Sequence, residues 1–120
     1  MANVFKSAML DVTTTDLTTL ITVPTADPGA SPSIPPTTAL VKSILVCNDS
    51  ANTTLLDIEV LRSSATFEVF KEKSVATKTT TELLEQPLVL QESDVMKVQA
   101  NAANQVHITA SYMEITKGQL

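Results

Sequence analysis

The chain has 120 residues, 43% of them apolar, and carries 8 Lys and Arg against 13 Asp and Glu for a net charge of −5. The apolar share is that of a folded protein. Eight cations are too few for the basic surface that displaces counterions from phosphate, and three Phe with one Tyr are a thin stacking platform, so nucleic acid is excluded as a partner. No apolar run approaches the length of a membrane span, so no membrane partner is expected either. The first six residues lack the apolar core of a secretory signal, and the expectation is a protein made in a cytoplasm.

Residue usage points to sheet. There are 18 Thr, 12 Val and 6 Ile against 2 Gly and no Trp. β-Branched side chains are stiff at χ1 and pack well on a pleated surface. Residues 3–10 read as a first strand, with Phe5 and Met9 on one face and Val4, Ala8 and Leu10 on the other. Residues 11–16 are a polar turn. Residues 17–23 alternate, placing Leu17, Ile21 and Val23 together. The stretch 24–38 holds five of the six prolines, which rules out a central strand and makes it a long loop. Loops beyond about 12–15 residues tend to be functional or mobile. Ile34, followed by Pro35 and Pro36, is the one large apolar side chain between Val23 and Leu40.

Residues 39–47 are apolar on both faces apart from Lys42 and Ser43, the pattern of a strand covered on both sides. After a turn at 48–52, residues 54–62 alternate, with Leu56, Ile58 and Val60 on one face. A turn at Arg62, Ser63 and Ser64 returns the chain as a strand over 66–73. There Phe70 falls off the face shared by Phe67 and Val69, which points to a bulge or a second buried contact. Residues 74–81 are Thr-rich and fit an edge strand, although Thr79 and Glu82 also have capping-box spacing for a short helix that Pro87 would end. Residues 88–90, 95–100 and 105–115 complete the set. About eight short strands in one domain, 1–120, predict an all-β antiparallel sandwich or jelly roll. Its expected core is Leu45, Leu56, Ile58, Val60, Phe67, Val98, Val106, Ile108, Ala110 and Tyr112.

Catalytic chemistry has little to stand on. The lone Cys47 gives neither an internal disulfide nor a thiolate metal site, and reads as a small core residue. The lone His107 reads as a solvated strand residue rather than the partner of Cys47 or of a Ser–Asp pair. Two glycines cannot build a phosphate cradle. Asp11, Asp16, Asp49, Asp57 and Asp94 are too scattered for a contiguous calcium loop. Lys71, Lys73 and Lys78 suit a solvated strand edge, where lysine discourages unwanted pairing. No enzyme activity, cofactor or metal is expected.

The segments ALVKSILVCN (39–48), LVLQESDVMKVQA (88–100) and QVHITASYMEI (105–115) resemble small virion structural proteins of tailed bacteriophages, including those of marine and cyanobacterial hosts. The shared order is an apex loop, a strand ending in Asn, a Thr-rich middle, Leu-x-x-x-Asp and a closing strand ending in Tyr-x-Glu. It covers nearly two-thirds of the chain. Ser93 departs from it, standing where glycine is expected before the Asp. The resemblance implies a virion component, foremost a capsid decoration (cement) protein outside the head that bridges major capsid subunits. The alternatives are a tail, neck or fibre component and, in a different class, a carbohydrate-binding module for the host surface. It also implies homo-oligomers, a trimer among them. Phe5, Met9, Ile34, Pro35 and Pro36 are the expected protein-interface residues.

Overall fold

The computed structural model describes residues 2–116, and every regular element in them is a strand. In chain order these are β1 (Ala2–Asp11), β2 (Thr18–Thr22), β3 (Thr37–Asn48), β4 (Thr54–Arg62), β5 (Ala65–Val75), β6 (Thr79–Glu82), β7 (Leu88–Leu90), β8 (Val95–Ala100) and β9 (Val106–Thr116). The chain pairs like one long hairpin. β1 pairs with β9, β2 with β8, β3 with β6 and β7, and β4 with β5, all antiparallel. Rolling that hairpin up adds the β3–β9 and β4–β8 ladders. The result is a five-stranded sheet, β1-β9-β3 with β6 and β7 along the far side of β3, facing a four-stranded sheet, β2-β8-β4-β5. This is jelly-roll topology. β6 and β7 share one strand position, which reconciles nine strands with the eight expected.

Alternation places the core. Val41, Ile44, Val46, Val106 and Ile108 point inward from the five-stranded sheet and meet Leu56, Ile58, Met96 and Val98 from the other, each at most 1% exposed. Burying an aliphatic side chain of this size stabilises by roughly 1.5–3 kcal/mol. Seven of the expected core residues lie there: Leu56, Ile58, Val60, Val98, Val106, Ile108 and Ala110. Three do not. Leu45 is 39% exposed and Phe67 57% exposed, and Tyr112 is only half-buried against the core. Leu45 projects from the outer face of β3, which nothing in the described residues covers, so this strand is buried on one face only. Phe67 lies on β5, an edge strand, where it lines an open apolar groove with Leu88 and Val89.

The bulge is present, with register shifts on either side of Ile58 that bring Phe70 opposite Ile58 and Phe67 opposite Val60. The helix option at residues 79–82 is not taken, because β3 offers those residues a ladder. Glu82 turns toward β3 instead. Its carboxylate accepts from the Ser43 hydroxyl, the Ile44 N–H at 2.8 Å and the Leu84 N–H at 3.1 Å. It thereby satisfies β3 where β6 has ended and β7 has not begun. Burial raises the Glu82 carboxyl pKa, but these hydrogen bonds together outweigh it and hold it below its ordinary value.

With so few glycines, other residues take the left-handed turn positions. Ser63 and Ser64 (φ 51° and 69°) join β4 to β5, and Ser93 (φ 71°) sits where the resemblance expects glycine. Ser93 is held by a 2.6 Å hydrogen bond between its Oγ and that of Thr25.

Candidate functional site

The ladder register lays the outer face of the five-stranded sheet out in rows. Phe5, Met113, Leu40 and Val89 form one row across β1, β9, β3 and β7. Ser7, Ser111 and Ser43 form the next, and Met9, Thr109, Leu45 and Glu82 the third. A fourth row, Asp11, His107, Cys47 and Thr80, turns polar. Phe5 and Met9 are each 77% exposed and Val89 53%. Charge on the first three rows is confined to Glu82 at the edge and Lys42 at the bulge of β3. A shallow depression of about 300 Å³ at this face is lined by Phe5, Lys6, Ser7, Lys42, Ser111 and Tyr112.

The two ends of the sandwich differ as well. At one end lie the β2–β3 loop, the β4–β5 turn and the β7–β8 turn, with the exposed side chains Val4, Phe5, Ile34, Phe67 and Val89. An apolar groove of about 210 Å³ runs there between β5 and β7, over Val60, Phe67, Val69, Leu88 and Val89. The proline-rich loop is tied down at its base. The Ala26 N–H donates to Glu92 at 2.6 Å, and the Val23 N–H to the Asp94 carbonyl at 2.9 Å. Further out, Asp27 and Ile34 exchange two backbone hydrogen bonds of 2.8 and 2.9 Å, making a small hairpin that presents Ile34, 38% exposed. Pro35 is half-buried and Pro36 exposed.

Beneath that base, Asp94 is buried and bound by both Nε and the second guanidinium nitrogen of Arg62, at 2.9 and 2.6 Å. Arg62 holds the Asp94 carboxyl below its ordinary pKa against the opposing effect of burial.

The opposite end is polar. Asn48 is fully buried and donates to the carbonyls of Asn52 and Val75, at 2.9 and 3.0 Å, while its Oδ1 accepts from Ser50. This accounts physically for an Asn at the end of the β3 motif. His107 stands half-exposed between Asp11 and Asp49, each 3.7 Å from a ring nitrogen. Cys47 is its cross-strand neighbour on the open face, half-buried rather than in the core. Asp57 faces Lys71 at 3.3 Å and Asp94 faces Arg62, so cations engage two of the five aspartates weighed for calcium.

Of the expected interface residues, Phe5 and Met9 lie on the outer face of the sheet, while Ile34, Pro35 and Pro36 lie at its apolar end. Sequence reasoning missed Leu45, Phe67 and Val89, which share these surfaces. For Val89 the signal was present, since it alternates with the buried Leu90.

No family model matches the chain, and no curated protein matches it. Among solved structures it is similar to a pentameric capsid protein from metagenomic phage sequences, at 16% identity and a TM-score of 0.47, over 94% of this chain and 64% of that one. It is also similar to a chain of infectious bursal disease virus, Gt strain, at 11% identity and a TM-score of 0.40, over 100% of this chain and 32% of that one. The chain thus spans less than two-thirds of either.

Proposed function

We propose that the protein is a non-enzymatic virion structural protein and, within that class, a decoration protein on the outer surface of a tailed-phage head. The observation that carries the reading is the uncovered apolar face on a finished sandwich. Phe5, Met9, Leu45 and Val89 stand in water although the sheet beneath them is already packed on its other side. Exposed apolar area of this kind, rimmed by polar residues, marks an association surface. The motif order over residues 39–115 supports a virion as the setting, and jelly rolls recur in viral capsid domains. The net charge of −5 favours the outside of the shell, away from packaged DNA.

The partner is then the major capsid protein, joined by other copies of this chain. A clip that binds the assembled lattice and not its free subunits stabilises the lattice by mass action. Many copies make modest individual contacts sufficient. The second alternative, a carbohydrate-binding module for the host surface, wants an aromatic platform. Here Tyr112 is half-buried and there is no Trp.

The test is saturation binding to particles that lack the protein. Head decoration requires a copy number comparable to that of the shell subunits, and loss of binding on Phe5→Ser with Val89→Ser. Binding limited to one ring of copies would move the protein to the tail or neck. Replacing residues 26–36 by a short Gly/Ser link should weaken binding if Ile34 is an anchor, and leave it unchanged if the loop only connects the two sheets.

A further inference from the structure

The two longest edge strands are built differently. β5 is blunted against further pairing: its register with β4 shifts twice, and Glu72 takes φ 51°. It also carries Glu68, Lys71, Glu72 and Lys73, and Asp57 reaches into its bulge to accept from the Glu72 N–H at 2.6 Å. Bulges and charges of this kind keep an edge from acting as a template. β1 has no bulge, and its only charged residues are Lys6 and, at its end, Asp11. Its ten residues pair with β9 in unbroken register, without proline or bulge. Its one lysine, Lys6, is turned away to Glu114 at 2.9 Å. Of the remaining edges, β2 is five residues long and shifts register, and β6 and β7 are four and three.

We propose that β1 pairs with β1 of a second copy, antiparallel about a two-fold axis at Ser7, so that two five-stranded sheets become one continuous sheet. Face matching allows only registers centred on a residue, because an offset of one would turn every side chain to the wrong face. Centring on Lys6 sets Phe5 against Ser7 and Met9 against Asn3 of the second copy, so that neither exposed apolar side chain meets another. Centring on Ala8 sets Phe5 against Asp11 of the second copy.

Centring on Ser7 sets Phe5 against Met9 of the second copy, twice by symmetry, with Ser7 on Ser7 and Asn3 on Asp11. The two most exposed apolar side chains on the strand then cover each other in a sulfur–aromatic contact. On the inner face Val4 meets Leu10 and Lys6 meets Ala8. The strip is about 31 Å long for nine residues. It falls at the small end of specific interfaces, and the dimer should form in the micromolar range. The pairing needs only this chain, so it stands or falls separately from the virion reading.

Sedimentation across a concentration series reaching high micromolar should show monomer passing to dimer. Met9→Lys, at an exposed position that leaves the fold intact by circular dichroism, should weaken it about tenfold or more. The register is read in a Cys47→Ser background. Ser7→Cys should form a disulfide-linked dimer on mild oxidation, because facing residues lie about 4.5–5.5 Å apart at Cα. Phe5→Cys alone should not, its symmetry mate lying about 14 Å along the strand. Combined with Met9→Cys it should. A monomer at every concentration, an assembly with an odd number of copies, or Ser7→Cys crosslinking no faster than Phe5→Cys would overturn the proposal.

Discussion

The two faces of the five-stranded sheet have similar side chains and opposite fates. Inward, Val41, Ile44, Val46 and Ile108 are all but inaccessible to water; outward, Leu45, Val89, Phe5 and Met9 are 39% to 77% exposed. Apolar area stabilises only in proportion to what is removed from water, so the inner face holds the fold and the outer one holds free energy that only association can release. The serine row between the two apolar rows fits the same division. Hydroxyls are cheap to leave wet and can still pair across an interface.

The sharpest way to break this comparison is to truncate one aliphatic residue on each face. Ile108→Ala should cost about 2–5 kcal/mol, since it removes packed methyls and leaves a cavity. Leu45→Ala should cost less than about 1 kcal/mol in the isolated chain and show its effect in particle binding instead. Urea denaturation midpoints decide it. Equal losses at the two positions would mean that the outer face is covered in solution.

A smaller effect separates the faces by charge. Asp94, buried beneath the loop base, and Glu82, at the rim of the outer face, both have carboxyl pKa values held below the ordinary carboxylate range. Folding therefore favours their charged forms. The stability they contribute is present above their unfolded values, about 3.9 for Asp and 4.3 for Glu, and is lost as pH falls through the lower folded values. Thermal midpoints should drop on acidification through that window. Arg62→Gln removes the principal cause at Asp94. It should lower the midpoint at neutral pH by less than Ile108→Ala, because Arg62 is 42% exposed, and should flatten the acid limb. An unchanged acid limb in that variant would place the acid sensitivity elsewhere.

What the sequence made legible follows the same line. Period-two alternation at residues 54–62 and 105–115 identified Leu56, Ile58, Val106 and Ile108 as one-faced, because the pleat alone decides that. It also paired Phe5 with Met9 and separated both from Val4 and Leu10, as observed. Alternation does not say whether a face is covered. That is why residues 39–47, apolar on both sides, read as a strand buried on both sides, and why Leu45 read as core. Phe67 failed for another reason: it stands opposite the buried Val60 but on the edge strand, beside the open groove between β5 and β7, and alternation does not tell an edge strand from a central one. The apolar row of Phe5, Met113, Leu40 and Val89 joins four strands remote in sequence, and only the ladder registers bring it together.

The smallest expected effect serves as the control that keeps stability and association apart. Ser63 and Ser64 both have positive φ in the two-residue connection between β4 and β5. Such type I′ turns favour glycine at the second central position, because a Cβ there meets the backbone. Ser64→Gly relieves that cost of roughly 1 kcal/mol or more, and returns part of it through the greater freedom of the unfolded chain. A net gain of about 0.5 kcal/mol is expected in the denaturation midpoint. The turn lies on the four-stranded sheet, and β1 and the outer face of the five-stranded sheet are untouched. Particle binding and dimerisation should therefore stay at wild-type strength while the midpoint rises. If binding also rose with this substitution, global stability would be limiting association, and the weakening expected from Met9→Lys would need the same correction before it could be assigned to the β1 edge.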